Sequence, residues 1–281
     1  MTEAKQEKTS HAKLKGRLLA FDVDGTLLNY RGELTERTIN ALASASGAGA
    51  VLTLATGRDW GTLGNLLTSL PTVKFALCTN GTEAYDREGE LIYARQIPVG
   101  TAIDLVSAVR EQIKDAAIGA AIGKEMVGEP EIVDAMPAGI TLSPGQIVDD
   151  ILTALKPEIR DLVIYHRDYI HRLDELFSLT VDICKDFDVG VQYSGLPMME
   201  LLPTGSGKGT GLAWLAGHLG IEQTDVVAFG DGLNDLSMLK WAGTGVAMGQ
   251  SEERVQDAAN VTTESCDNEG VAEWIEKQLK Q

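Results

Sequence analysis

Four short apolar runs, each stopped by a cluster of glycine and polar residues, constrain the fold of this chain more than any other feature. They are Leu18-Leu19-Ala20-Phe21 before Asp22, Ala50 to Ala55 before Thr56-Gly57, Phe75 to Cys78 before Asn80-Gly81, and Val226 to Phe229 before Gly230-Asp231. Each is short enough for a strand and too short for a helix. None alternates apolar with polar residues, so each reads as a strand covered on both faces. Two helical patterns separate the first three runs. Thr35 to Gly47 has Thr35 as a candidate N-cap, Glu36 in its first turn, and Ile39 and Leu42 at helical spacing. Asp59 to Leu70 stops before Pro71. Strand, helix, strand, helix, strand with such strands predicts a parallel sheet between helical layers. In these sheets ligands bind beyond the carboxyl ends of the strands, where Asp22, Thr56 and Asn80 sit.

The pattern is interrupted and then resumes. Tyr85 to Ile97 reads as a hairpin about Asp86-Arg87-Glu88-Gly89. A helix is expected over Thr101 to Asp115, with Ile103, Val106 and Ile113 on one side. Short strands then mix with helices near Pro144–Leu155 and Arg172–Phe187, and Leu162–Tyr165 and Val189–Tyr193 read as strands. From Met199–Leu202 the chain again looks doubly wound, with a helix over Lys208–Leu219 ended by Gly220, and strands at Val226–Phe229 and Gly245–Gly249. The predicted fold class is therefore α/β: a Rossmann-like doubly wound parallel sheet core with an inserted α+β cap domain. The expected core is residues 17–98 plus 197–281, and the cap is residues 99–196. Met1 to Gly16 is polar and lysine-rich without a hydrophobic segment, and reads as a flexible tail (1–16) rather than a secretory signal.

Charge narrows the function classes. The chain of 281 residues carries a net charge of −17. Such a surface repels nucleic acid and anionic lipid, so neither is an expected partner. An anionic substrate would need local cations to enter. No apolar run approaches the roughly 20 residues that span a membrane. The three cysteines, Cys78, Cys184 and Cys266, are widely spaced and form no Cys-x-x-Cys pair. They suggest buried thiols in a reducing, cytoplasmic setting rather than zinc ligands or disulfides.

The chemistry-bearing residues cluster at the strand ends. In Asp22-Val23-Asp24-Gly25-Thr26, alternation would put both carboxylates on one side. Two close carboxylates resist ionising together unless a cation or proton is shared, and magnesium with oxygen ligands would meet that need. A plain turn is the simpler reading of this motif alone. A calcium loop would use Glu33, but Leu27 occupies the position that needs glycine. Thr56-Gly57-Arg58 offers a hydroxyl, a free amide and a helix start, which together suit an anion, or only a strand-to-helix turn. Thr204-Gly205-Ser206-Gly207-Lys208-Gly209 fails as a nucleotide phosphate loop, because Leu202 and Gly209 replace its first glycine and its hydroxyl. Lys208 at a helix start opposes the helix dipole, which makes sense beside an anion and otherwise marks a surface lysine. Gly230-Asp231-Gly232-Leu233-Asn234-Asp235 adds two carboxylates and an amide, or a capped turn.

Taken together and in this order, these motifs resemble the haloacid dehalogenase superfamily, specifically the Cof-type phosphatases with a type IIB cap. The resemblance covers nearly everything after Arg17, including Val246-Ala247-Met248-Gly249 and Gly270-Val271-Ala272. It implies that Asp22 attacks phosphorus and forms an aspartyl-phosphate. Asp24 would protonate the leaving alcohol and then activate water. Mg2+ would be held by the Asp22 carboxylate, the Asp24 backbone carbonyl and Asp231, with Asp235 bound directly or through water. Thr56, the Gly57 N–H, Lys208, Asn234 and the Val23 N–H would hold the phosphoryl oxygens.

The resemblance also sorts the activities. Halide leaving groups need no acid, so Asp24 argues against dehalogenation, and the absence of membrane spans argues against ion pumping. The expected activity is hydrolysis of a small phosphorylated metabolite, a sugar phosphate or a relative of one. A hexose phosphomutase and a non-catalytic phosphometabolite-binding protein are the alternatives. Arg167, His171 and His166 are candidate substrate contacts, with ordinary surface positions as the simpler reading. Neither the substrate nor the oligomeric state is written in these motifs.

Overall fold

The structure is a computed structural model that describes residues 13–123, 125–136, 142–194 and 196–280. The chain begins with β1 (Leu18–Phe21), α1 (Glu36–Gly47), β2 (Val51–Ala55), α2 (Gly64–Ser69), β3 (Val73–Cys78), β4 (Glu83–Asp86) and β5 (Leu91–Ala94). It continues through α3 (Val99–Gln112), β6 (Ala117–Ile122), β7 (Glu125–Gly128), α4 (Ile132–Ala135), β8 (Ile159–Tyr165), α5 (Leu173–Cys184), β9 (Val189–Tyr193) and β10 (Met198–Pro203). It ends with α6 (Lys208–Leu219), β11 (Val226–Gly230), α7 (Leu236–Trp241), β12 (Thr244–Ala247), α8 (Glu253–Ala258), β13 (Val261–Thr262) and α9 (Gly270–Leu279).

The strands form two sheets. The first has the order β13-β12-β11-β1-β2-β3-β4-β5, parallel from β13 to β3 and antiparallel beyond. β1 lies at its centre, with Phe21 opposite Leu54 on one side and Phe229 on the other. The unbroken apolar character of β1 follows from its place. Leu19 and Phe21 pack into one core with Ala41 and Leu42 of α1 and Ile275 of α9. Leu18 and Ala20 pack into the other with Leu212 and Leu215 of α6 and Met238 of α7. Both faces of the strand are thus covered by helices. Thr35 caps α1 by accepting the Thr38 N–H at 3.2 Å, and Gly220 ends α6 in the left-handed conformation.

The second sheet has the order β7-β6-β8-β10-β9 and is antiparallel throughout. One face carries Ile118, Leu162, Ile164, Met199 and Leu201 against α3 and α5. The alternate residues, including Ala121, Asp161, Val163, Met198 and Glu200, face a cavity shared with the strand ends of the first sheet.

Several expectations need correction. Met198–Pro203 pairs with β8 and β9 in the second sheet, not in the parallel core expected from residue 197 onward. The helix expected near Pro144–Leu155 is two single 3-10 turns, Pro144–Gln146 and Ile151–Thr153, separated by extended backbone at Ile147 and Asp150. α3 starts at Val99 and buries Ala102, Leu105, Val106 and Val109, while Ile103 is exposed. Of the expected tail, residues 1–12 lie outside the described residues. Leu14 does not fit it, being fully buried in the core, and the Gly16 N–H donates to Gly49 O at 2.9 Å. All three cysteines are buried with free thiols. Among the described residues no helix is long and apolar enough to cross a membrane.

Candidate active site

The polar ends of β1, β2, β3 and β11 meet at one rim, as the parallel order requires. Asp22 directly follows β1, its N–H donating to Phe229 O at 2.9 Å, and its side chain is buried. A tight turn follows: Val23 O accepts the amides of Thr26, Leu27 and Leu28 at 3.4, 3.1 and 2.9 Å. Gly25 makes that turn possible. Its φ is +80°, and a Cβ there would lie 2.3 Å from Asp231 Oδ2. Asp231 comes from the end of β11 and accepts the Thr26 hydroxyl at 3.3 Å. Gly230 has the same constraint by contact alone, since a Cβ would meet the Asp235 side chain at 2.5 Å.

A buried charge cluster occupies the centre of the rim. Lys208, at the start of α6, is completely buried, and its Nζ donates to Asp22 Oδ1 and Asp235 Oδ1, both at 2.6 Å. The second Asp235 oxygen accepts the N–H groups of Asp231 and Gly232, both at 2.9 Å. Asp22, Asp231 and Asp235 each bring a carboxylate oxygen within 4.8 Å of the other two. Burial raises Asp22 well above the usual carboxylate range; Lys208 opposes this and the two other aspartates add to it. Burial, then repulsion from Asp235, pushes Asp231 up to about 6. Burial alone would lower Lys208, but its two carboxylate partners outweigh that and raise it. Three carboxylates thus gather about one ammonium, which bonds two of them. That surplus of hard, anionic oxygen suits a divalent cation such as Mg2+.

Asp24 behaves differently. Its side chain is 61% exposed, and Arg58 grips both oxygens, Nε to Oδ2 at 2.8 Å and Nη2 to Oδ1 at 2.5 Å. Asp22, Asp24, Thr56, Gly57, Arg58, Asp231 and Asn234 all line one cavity of about 550 Å³. The amides of Val23 and Gly57 donate to no acceptor among the described residues. Asn234 Nδ2 donates to Asn80 Oδ1 at 3.1 Å, and Asn80 in turn donates to Glu200 of β10.

A carboxylate at a central strand end, a second one two residues on, a buried lysine and an acidic triad meet at one rim. A family model described as haloacid dehalogenase-like hydrolase matches residues 19–275. The chain belongs to the haloacid dehalogenase-like hydrolase family. An HMP-PP phosphatase of Cronobacter sakazakii is 31% identical over 243 residues, covering 84% of this chain and 85% of the relative. The pyridoxal phosphate phosphatase YbhA of Escherichia coli K12 is 28% identical over 272 residues, covering 94% and 98%. The solved structure of a subclass IIB sugar phosphatase superposes with a TM-score of 0.79 at 22% identity, covering 94% of this chain and 100% of that one. At that identity the likeness is one of fold.

Within this haloacid dehalogenase-like frame, the residues expected for catalysis, metal and phosphate reach the same rim, but three arrive in unexpected settings. Lys208 is no surface lysine: the anions that offset its place at a helix start are Asp22 and Asp235 themselves. Both oxygens of Asp235 are already engaged. Asp24 turns its carboxylate to Arg58. Glu33, the residue a calcium loop would use, pairs with Arg31 and Asn29 instead, away from the acidic triad. Arg167, His171 and His166 do not line the cavity; Arg167 and His171 are exposed, and His166 is 3.0 Å from Lys114 O.

Three residues were given no role by the sequence, Arg58, Asp161 and Glu200, while Asn80 was placed at the strand ends without its link to Glu200. Arg58 is a second cation set against a helix start, the signal already used for Lys208. Asp161 lies beside Arg160 in the buried strand Ile159–Tyr165, and Glu200 is the one acid in the otherwise apolar strand Met198–Pro203. An acid buried in a strand needs a partner or a role.

Proposed function

We propose that this chain is a magnesium-dependent phosphatase that hydrolyses a small phosphorylated metabolite through an aspartyl-phosphate on Asp22. The observation that carries the reading is the buried Asp22 carboxylate at the end of the central strand, facing the same cavity as Asp24. An Asp22 oxygen attacks phosphorus and the bond to the leaving oxygen breaks. Asp24, protonated and turned from Arg58 toward the bound substrate, supplies the proton to that oxygen, then takes one from the water that attacks the phosphorylated Asp22, releasing phosphate. Arg58 positions Asp24 beside the rim. Thr56, Lys208, Asn234 and the amides of Val23 and Gly57 bind the phosphoryl oxygens, where negative charge spreads during transfer. Mg2+ would be held by Asp22, Asp231 and the Asp24 carbonyl, with Asp235 behind them, and would supply charge neutralisation between Asp22 and the anionic substrate.

Residues 99–196 together with β10 act as the cap, placing the second sheet over the rim and excluding water from the reaction. The relatives named for pyridoxal phosphate and HMP-PP, both small phosphorylated compounds, support the substrate class. The test is phosphate release from p-nitrophenyl phosphate with Mg2+. Wild type is expected to release phosphate, and Asp22→Asn to lose on the order of 10³-fold or more. Undiminished release by Asp22→Asn would sink the mechanism. A requirement for a sugar bisphosphate activator would point instead to a mutase.

A further inference from the structure

We propose that Asp161 is the specificity-determining residue of this cavity and binds a protonated nitrogen on the leaving group, whose apolar flank rests on the methionine- and leucine-lined wall beside it. The inference rests on the phosphatase reading and names the class of ester it acts on: a phosphate ester of a compact, amine-bearing and largely apolar alcohol.

Asp161 is 95% buried by its 5% exposure, yet it lines the cavity. Its Oδ1 accepts the Ala121 N–H at 3.0 Å, and its Oδ2 meets no donor among the described residues. Glu200 lies on the same face of the neighbouring strand, opposite Val163, two residues along from Asp161. Its Oε2 accepts Asn80 and Gln192, the latter at 3.3 Å, and its Oε1 likewise meets no donor among the described residues. Two buried acids therefore present unfilled oxygens to one cavity. Burial pushes Asp161 to about 7, and burial with repulsion from Asp161 pushes Glu200 to about 8. The cations that might relieve them are committed elsewhere. Arg160 donates to Glu83 at 2.5 Å, and Lys208 bridges Asp22 and Asp235.

The cavity is thus polarised. Its rim end offers the Thr56 hydroxyl, the Asn234 amide and the Gly57 N–H to a phosphoryl group. Its cap end offers two carboxyl groups without a cation, and a protonated nitrogen placed there would hold Asp161 ionised. Between them the wall is apolar, formed by Met126, Met198, Leu142 and Leu196. A cavity of about 550 Å³ has room for a phosphoryl group and one ring. A polyol would leave ring hydroxyls unpaired against the methionines and leucines, and each unpaired group is costly. A ring with an apolar face and a protonated amine satisfies both wall and acid, and methionine adapts readily to such faces.

The test uses the full-length enzyme with Mg2+, benzyl phosphate, and its 2-, 3- and 4-aminomethyl derivatives. The esters share the reacting group and ring and differ in the amine. In wild type, the best aminomethyl isomer is expected to exceed benzyl phosphate in kcat/KM by tenfold or more, the effect of one charged hydrogen bond. In Asp161→Asn, which keeps an oxygen for the Ala121 N–H, that ratio should collapse to within about threefold of unity. Asp161→Ser serves the same purpose if Asp161→Asn does not fold. A ratio near unity for all three isomers in wild type overturns the proposal, as does a large ratio that survives in the variants. Either result leaves the phosphatase reading standing. No release from any ester overturns that reading, and the proposal with it.

Discussion

Replacing Lys208 with methionine should destabilise the protein in a way that depends on pH and Mg2+. Methionine matches the length of the lysine stem, so packing is nearly preserved while the ammonium is lost. That ammonium makes two 2.6 Å hydrogen bonds to buried carboxylates and is itself fully buried. Charge-assisted bonds contribute about 1.5–3 kcal/mol each, and removing one partner from a buried ion pair costs about 3–5 kcal/mol. Two such bonds total about 3–6 kcal/mol, and the broken-pair range fits better here, because the lysine's own desolvation penalty is relieved when it is removed. At neutral pH without metal, a loss of about 3–5 kcal/mol corresponds to a fall in melting temperature of at least 6 °C, at roughly 2 °C per kcal/mol for a chain this long. Lysine lowers the pKa of Asp22, so the variant raises it further above 3.8. A raised folded-state pKa gives stability that is complete below the unfolded value and lost as pH rises through the folded one. The gap between variant and wild type should therefore be smallest near pH 4 and widen toward neutrality. Mg2+ should narrow it, because the metal supplies positive charge to the same carboxylates. Thermal denaturation at several pH values, with and without Mg2+, checks each point. A melting temperature within 2 °C of wild type, or a gap independent of pH, would refute the claim that this lysine neutralises the buried acids.

Two further outcomes follow from the same geometry. Arg58→Lys keeps the charge but loses the two-pronged grip on Asp24, so it should slow an alkyl phosphate by about 10–100-fold and p-nitrophenyl phosphate much less, since the latter's good leaving group needs little acid help; equal losses on both would show that Arg58 acts on something other than Asp24. Asp231 titrates near 6, so a proton competes with the metal below that pH, and Mg2+ affinity should fall by up to about tenfold per pH unit there; calorimetric titration at pH 5 and 7.5 measures this, and an affinity independent of pH would contradict it.

The fold of the core was legible because burial leaves a strong mark. Leu18–Phe21 and Val226–Phe229 are apolar at every position, since each faces two helical layers. The cap was harder to read. β6 is Ala-Ile-Gly-Ala-Ala-Ile, whose small residues have weak strand preference and are small because the neighbouring strand packs tightly: a Cβ on Gly119 would lie 2.7 Å from Met126 and 2.8 Å from Val163. Met198–Pro203 reads the same whichever sheet it joins, because being buried on both faces does not say what covers it. The rim residues were found through their glycines and their spacing. Arg58 was overlooked as a participant because its partner, Asp24, is 34 residues away in the chain, and no local pattern links them.

The contacts between the sheets explain why specificity and chemistry belong to one structure. Glu83 of β4, at the edge of the core, is buried with Arg160 of β8, in the cap. Asn80, at the end of β3, bridges Asn234 of the rim and Glu200 of the cap. Asn80 adopts φ of +47°, a conformation that asparagine tolerates better than most side chains. The strain there is held by its N–H, which donates to Thr56 O at 3.0 Å, one residue from the Gly57 amide. A single asparagine thus touches the second strand end, the β11 loop and the cap acid next to Asp161. Any movement of the cap that displaces Glu200 must act on Asn80, and through it on Asn234 and Thr56, which line the phosphoryl end. A continuous hydrogen-bonded path through Asn80 therefore joins the two ends of the cavity.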